Sequence, residues 1–302
     1  MAFTAKDVKD LRERTGVGMM DCKAALTDAA GDMDKAVEIL REKGLAAANK
    51  KAGRIASEGL VYAMTDENAG VGAVVEVNSE TDFVAKNESF QNFVKDIAEV
   101  VIQQNPADTD ALLAAKMGKG TVEDELREKI LVIGENLKIR RFTRFTGVNT
   151  AYVHGGGTHG VLVQFDTSDA IAKTPGFATY GKDVAMHIAA MNPTYLSRAD
   201  VPADVLDKEK EILKAQAINE GKPENIAEKM VAGRINKYYE TNCLLDQKFV
   251  KDGEITVQQY TEQTEKALGG SIKIVAFARF EKGEGLEKKV DDFAAEVAGM
   301  VK

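Results

Sequence analysis

Cysteine, histidine and long apolar runs are all scarce in this chain of 302 residues, and each scarcity removes a class of function. Cys22 and Cys243 stand far apart and form no metal-type pair, so reduced thiols are expected. The three histidines, His154, His159 and His187, match no zinc spacing with either cysteine. No apolar run approaches the roughly 20 residues that cross a bilayer, so no membrane partner is expected. The opening Met1-Ala2-Phe3-Thr4-Ala5-Lys6-Asp7 carries no signal-peptide core, which makes a cytoplasmic protein the expectation. Basic charge is short as well. A net charge of −8 argues against direct nucleic-acid binding, because phosphate contacts need a dense basic face. The one basic cluster, Arg41, Lys43, Lys50, Lys51 and Arg54, reads as a solvated helix end or linker.

The signatures of covalent chemistry are missing too. His154-Gly155-Gly156-Gly157 has the form of an esterase oxyanion loop, but no Gly-x-Ser-x-Gly elbow supplies a nucleophile, so a glycine-rich hairpin turn is the simpler reading. Gly118-Lys119 has neither the preceding glycine nor the following Ser or Thr of a phosphate loop. No enzyme activity and no cofactor are expected.

What is present is an ordinary globular composition, 44% hydrophobic and 29% charged, long enough for two or more compact units. The first stretch reads as three short helices. Val8 and Leu11 share a face of the first, which stops near Thr15-Gly16; Ala24, Ala25 and Leu26 lie on the second; Asp32 or Asp34 opens a third with Val37 and Leu40. The Met19-Met20 pair after Gly16-Val17-Gly18 fits either an adaptable partner surface or the closure of a three-helix core. A diverged repeat follows. Gly72 to Val77 matches Gly160 to Phe165, and Lys95-Asp96-Ile97-Ala98 ending at Asn105-Pro106 matches Lys182-Asp183-Val184-Ala185 ending at Asn192-Pro193. This pairing predicts two α+β halves, each a hairpin with a packed helix. His187 falls opposite Val100 on the apolar helix face, the place of a satisfied core histidine.

Further on, apolar stripes from Val205 to Leu213 and from Ile226 to Tyr238 flank Gly221-Lys222-Pro223, predicting an antiparallel helical hairpin that must pack on a second copy or on a partner. Ile272 to Phe280 reads as a returning strand, and Asp291 to Val297 as a short amphipathic helix.

The segment Thr81-Asp82-Phe83-Val84-Ala85-Lys86-Asn87 interrupts a strand-to-helix connection with an aromatic among polar neighbours. Phe83 is either a probe or a staple beneath the next helix, with Thr81 or Asn87 capping that helix. The repeat puts Thr81-Asp82 opposite Ser168-Asp169 but Phe83 opposite Ala170, so the shared architecture does not demand the ring.

The chain closely resembles the elongation factor Ts family of bacterial guanine-nucleotide exchange factors. The motifs are Leu11-Arg12-Glu13-Arg14-Thr15-Gly16-Val17-Gly18-Met19-Met20-Asp21-Cys22-Lys23, Glu80 to Asn87, Ile133-Gly134-Glu135-Asn136, Ile226 to Val231 and Phe293 to Val297, in the family's order. Ser79-Glu80 stands where some members have Cys-Gln, and Ala170 to Lys182 is longer than in the shorter members. The resemblance implies an α+β protein with a ubiquitin-associated-like module (1–54), a core in two halves (55–147; 148–200 with 241–280), a coiled-coil hairpin (201–240) and a C-terminal helix module (281–302). It implies binding to elongation factor Tu and release of that partner's GDP. Arg12, Met19, Met20, Asp21 and Lys23 are then contacts, Asp82 and Phe83 enter near the partner's magnesium site with Thr81 and Val84 as partner-binding neighbours, and Ile133 and His154 support the contact. A homodimer or two-plus-two complex through the hairpin is a further expectation. The rival reading is a non-catalytic adaptor whose N-terminal module captures helices.

Overall fold

The computed structural model describes residues 3–288. The expected helix at Asp291–Val297 lies outside them. The chain divides into two units: one runs to Tyr62, resumes over Val75–Phe142 and resumes again from Phe280, and the other comprises Ala63–Val74 and Thr143–Arg279. The architecture is α+β, as the sequence predicts.

The first unit opens with α1 (Ala5–Thr15), α2 (Met19–Asp28) and α3 (Met33–Lys51). Thr4 and Asp7 form a capping box on α1, Gly16 ends it with a left-handed φ of 69°, and Asp32 caps α3 through the N–H groups of Asp34 and Lys35. Val8, Leu11, Val17, Cys22, Leu26 and Leu40 fill the core of this bundle. Burial pushes the Cys22 thiol up, away from thiolate reactivity. The expected solvated basic stretch is partly paired instead. Arg41 Nε lies 3.8 Å from Glu128 Oε1, and Lys51 Nζ donates to the Ile130 carbonyl at 3.4 Å.

Next come β1 (Glu58–Asp66), β2 (Val71–Ser79), the one-turn helix α4 (Asp82–Ala85), α5 (Glu88–Gln104), α6 (Thr109–Ala114), the short pair β3 (Lys116–Met117) and β4 (Gly120–Thr121), and α7 (Val122–Ile133). β5 (Lys138–Thr146) completes a three-stranded sheet in the order β1, β2, β5. Asn87 caps α5, and Asn105 ends it in the left-handed region, φ 48°, just before Pro106.

The second unit repeats this plan. β6 (Val148–His154) pairs antiparallel with β7 (His159–Thr167), followed by the one-turn helix α8 (Asp169–Ala172) and α9 (Pro175–Met191). α9 ends on Asn192, φ 46°, before Pro193, the same stop as α5. The repeat read from the sequence is thus a repeat of strand, one-turn helix and long helix. The turn between β6 and β7 is the glycine run, Gly155, Gly156 and Gly157 all at positive φ. Then follow α10 (Ala203–Asn219) and α11 (Glu224–Asn242), packed as a hairpin with Pro223 at the N-cap of α11. β8 (Lys248–Phe249), β9 (Asp252–Thr256), α12 (Val257–Leu268) and β10 (Ile272–Glu281) close the order, β10 beside β7 in the sheet β10, β7, β6.

His187 is the buried, satisfied histidine that its apolar face predicts. Its Nδ1 accepts from the Val250 N–H at 3.1 Å, so Nε2 carries the proton and donates to Gln247 Oε1 at 2.9 Å. Burial lowers its pKa below the usual 6.5, against the smaller opposing effect of Gln247. A neutral histidine in the fold and a titrating one in the unfolded chain make stability full above about pH 6.5 and fading as pH falls toward the lowered folded value. Urea unfolding at pH 8 and pH 5.5 is expected to show this loss, and His187→Phe to shrink it. An identical pH difference in the variant assigns the loss to other groups.

Candidate functional site

The site begins where β2 ends. Ser79 is buried and its Oγ donates to the Thr81 carbonyl at 2.9 Å, turning the chain out of the sheet. Thr81 keeps an extended backbone before α4, yet its hydroxyl caps nothing. It donates instead to Glu135 Oε1 at 2.6 Å, while the Thr81 N–H donates to Glu135 Oε2 at 3.0 Å. The neighbouring pair repeats the exchange in reverse: the Asn136 N–H donates to Glu80 Oε1 at 2.6 Å. Arg54 Nη1 reaches the same Glu80 oxygen at 3.4 Å, and Asn136 Nδ2 donates to the Arg54 carbonyl at 2.8 Å. Bonds to ionised carboxylates are the strong kind, so residues 80–81 and 135–136 grip each other at two points.

On this base α4 turns Val84 inward, where it is buried, and Phe83 outward, where 77% of its surface is exposed. The staple alternative is excluded, since Phe90 is the aromatic that fills the core at the start of α5. Of the two capping candidates only Asn87 acts, accepting from the N–H groups of Ser89 and Phe90 at 2.9 and 3.3 Å. Lys86 Nζ lies 2.8 Å from Asp82 Oδ2 and 5.7 Å from the Phe83 ring centroid. The hydrogen bond from Lys86 holds the Asp82 carboxyl below the usual carboxylate range. Both charges are solvent-exposed, so the pair does little to hold the turn in place.

Beside the ring is an open hollow of about 320 Å³ lined by Phe83, Val84, Asn87, Ser89, Val132 and Ile133. Val132, at the end of α7, is exposed, and a Cβ built on Gly16 would lie 3.8 Å from its Cγ2. The α1–α2 loop therefore adjoins the same corner. Met20 is 74% exposed and Met19 is exposed too, whereas the bundle core is closed without them. The core-closing alternative for the methionines is thereby removed. Arg12, Asp21 and Lys23 are exposed on the same two helices, and Ile133 is half-buried.

His154 belongs to the other unit, exposed at the end of β6, with its Nδ1 2.9 Å from the Tyr152 hydroxyl. Sequence reasoning missed Val132 and the part played by Glu135 and Asn136. Gly134, φ 84°, marks the helix stop before them, but nothing local shows that Glu135 reaches a residue 54 positions away.

Fold and surface together define a class: a mixed α+β scaffold that displays large apolar side chains on fixed elements. Such exposed patches mark sites of protein association. Among known families, the one described as Elongation factor TS matches residues 80–284. The chain is 54% identical to an elongation factor Ts of Clostridium perfringens strain SM101 over 302 residues, covering 99% of each. It is 53% identical to that of Trichlorobacter lovleyi over 305 residues, covering 99% of this chain and 98% of the relative. The elongation factor Ts of Clostridium botulinum strain ATCC 19397 is 50% identical over 301 residues, 98% of this chain and 97% of the relative. The chain belongs to the elongation factor Ts family, which places it among the translation elongation factors. Among the described residues no helix is long and apolar enough to cross a membrane.

Proposed function

We propose that this protein binds GDP-bound elongation factor Tu, disorders its magnesium and phosphate site, and so promotes release of GDP and its exchange for GTP. No covalent bond is made or broken. The observation that carries this reading is Phe83: a large ring, exposed on a one-turn helix that two carboxylates hold from behind. Membership of the elongation factor Ts family supports it.

The physics is linkage. A nucleotide held at nanomolar affinity is bound by about 12 kcal/mol, and much of that grip comes from magnesium and phosphate contacts. A factor that favours a conformation with a disordered magnesium site weakens the nucleotide by the coupling energy, and the nucleotide weakens the factor equally. Phe83 supplies the wedge, with Asp82 beside it as an acceptor. Arg12, Met19, Met20, Asp21 and Lys23 supply affinity, Ile133 supports the contact, and His154, on the other unit, is a further partner-binding residue. In the adaptor alternative residues 1–54 bind alone. Leu131 of α7 packs against the bundle core of α1–α3, which favours a joint surface instead.

Calorimetric titration of elongation factor Tu tests the partner and the loop together. Tight binding is expected, and replacing both Met19 and Met20 by Ala is expected to weaken it by about 2 kcal/mol, the scale of an interface hot spot. Unchanged affinity would remove the loop from the interface.

We propose self-association as the role of the α10–α11 hairpin, which leaves Ile212, Ile218 and Ile226 exposed. Replacing Val205 to Tyr238 by a short linker is expected to lower the sedimenting mass and to preserve most exchange. Loss of exchange in a folded variant would make the hairpin part of the active surface.

A further inference from the structure

We propose that Glu135 is a positioning residue for Phe83, holding α4 in the attitude that aims the ring outward. The inference rests on the wedge reading of Phe83 and adds to it a residue from a distant part of the chain. A single helical turn does not hold itself: nucleation is unfavourable and so short a helix is marginal alone. α4 lacks the usual remedies. Its N-cap residue makes no capping bond, its large side chain is exposed and contributes no burial, and its Asp82–Lys86 pair is exposed. Val84 is its one buried side chain. Two side chains hold it from outside: Gln91 Nε2 donates to the Ala85 carbonyl at its end at 2.9 Å, and at its start the Glu135 carboxylate accepts from both the N–H and the hydroxyl of Thr81.

The molecule contains its own comparison. In the second unit the equivalent one-turn helix α8 carries Ala170 where α4 carries Phe83. There Ser168 caps locally, its Oγ accepting from the Ile171 N–H at 3.4 Å. Where no ring is displayed the hydroxyl serves its own turn, and where a ring is displayed the hydroxyl is diverted to a carboxylate on another element. That carboxylate is well placed. Glu135 follows α7, whose last turn carries Leu131 into the N-terminal bundle and Val132 and Ile133 into the wall of the hollow beside the ring. The reciprocal bond from the Asn136 N–H to Glu80 makes the hold two-point and stops rotation about a single contact. Glu135 therefore sets Phe83 at a fixed distance from the apolar surface beside it.

The test is a cycle of Glu135→Gln and Phe83→Ala in the full chain, with elongation factor Tu carrying labelled GDP. Glu135→Gln keeps the shape and removes the charge. It is expected to lower the maximal rate of stimulated GDP release by about tenfold, as for a misplaced reacting group, while the half-saturating concentration changes less than twofold. In the Phe83→Ala background it is expected to add nothing. Thr81→Val should follow Glu135→Gln in part. Amide hydrogen exchange gives a reading independent of activity. In Glu135→Gln, the amides of Thr81, Lys86 and Asn87, which donate to Glu135 and to the carbonyls of Phe83 and Val84, are expected to exchange about ten- to a hundredfold faster, the scale of lost hydrogen bonds to a charged group, with the interior of α5 unchanged. Unchanged protection of Lys86 and Asn87, or rate losses that add in the double variant, would overturn the proposal. Lost protection together with a fully active Phe83→Ala would keep the clasp and sink the wedge. Should Glu135→Gln fail to fold, Thr81→Val carries both measurements.

Discussion

Phe83→Ala is expected to slow stimulated GDP release by at least about tenfold while leaving thermal unfolding within about 0.5 kcal/mol of the parent, the range of exposed substitutions. The ring is 77% exposed, so its truncation opens no cavity. A buried phenylalanine in a core would cost about 3–5 kcal/mol, and the exposure removes that outcome. Affinity for nucleotide-free elongation factor Tu is expected to fall less than the rate. A wedge acts on the nucleotide-bound state, so its loss appears mainly in the competition with GDP. Stopped-flow release and calorimetry on one preparation separate the two quantities. Equal losses in rate and affinity would make Phe83 an ordinary contact.

The largest effect on stability is expected at Glu76, whose side chain is fully buried within the first unit. Its carboxylate accepts from Arg140 Nη1 at 3.0 Å, Arg141 Nε at 2.6 Å, Asn78 Nδ2 at 3.1 Å and the Gly283 N–H at 2.8 Å. Gly283 cannot be changed to relieve this approach: its φ is 69°, and a Cβ there would stand 2.1 Å from the Ser57 carbonyl oxygen. Glu76→Ala strips the Gly283 N–H of its acceptor and leaves Arg140 only the Glu284 carbonyl and Arg141 the Glu281 carbonyl and the Glu284 carboxylate, which is expected to cost about 3 kcal/mol in urea unfolding. Replacing Glu76, Arg140 and Arg141 together by apolar residues is expected to cost less, because the two cations leave together with their buried acceptor. A Glu76→Ala loss below about 1 kcal/mol would show the cluster to be relieved by water.

The elements with local signals were legible in the sequence. Gly16, Asp32 and Asn87 mark helix ends by side-chain chemistry that needs no distant partner, and the structure uses each one. The internal repeat was legible for the same reason, since both long helices stop on an Asn-Pro pair. The one-turn helices α4 and α8 were not, because four residues are too few for a periodic pattern. Thr81 shows why composition misleads at the site. A threonine before a helical turn reads as a cap, and only the long-range contact with Glu135 reveals a different use of its hydroxyl. Exposure could not be read from the sequence either. Phe83 and Phe90 are the same residue type seven positions apart, one displayed and one buried, and the difference lies in the side of the turn on which each falls.

The most direct measurement is release of labelled GDP from elongation factor Tu, followed at substoichiometric concentrations of this protein. The account predicts that, with excess unlabelled nucleotide present to refill each emptied partner and displace the factor, the rate rises in proportion to the amount added and each molecule discharges many partners. A release rate that stays at its spontaneous value, in a mixture where calorimetry shows the two proteins bound, would contradict it.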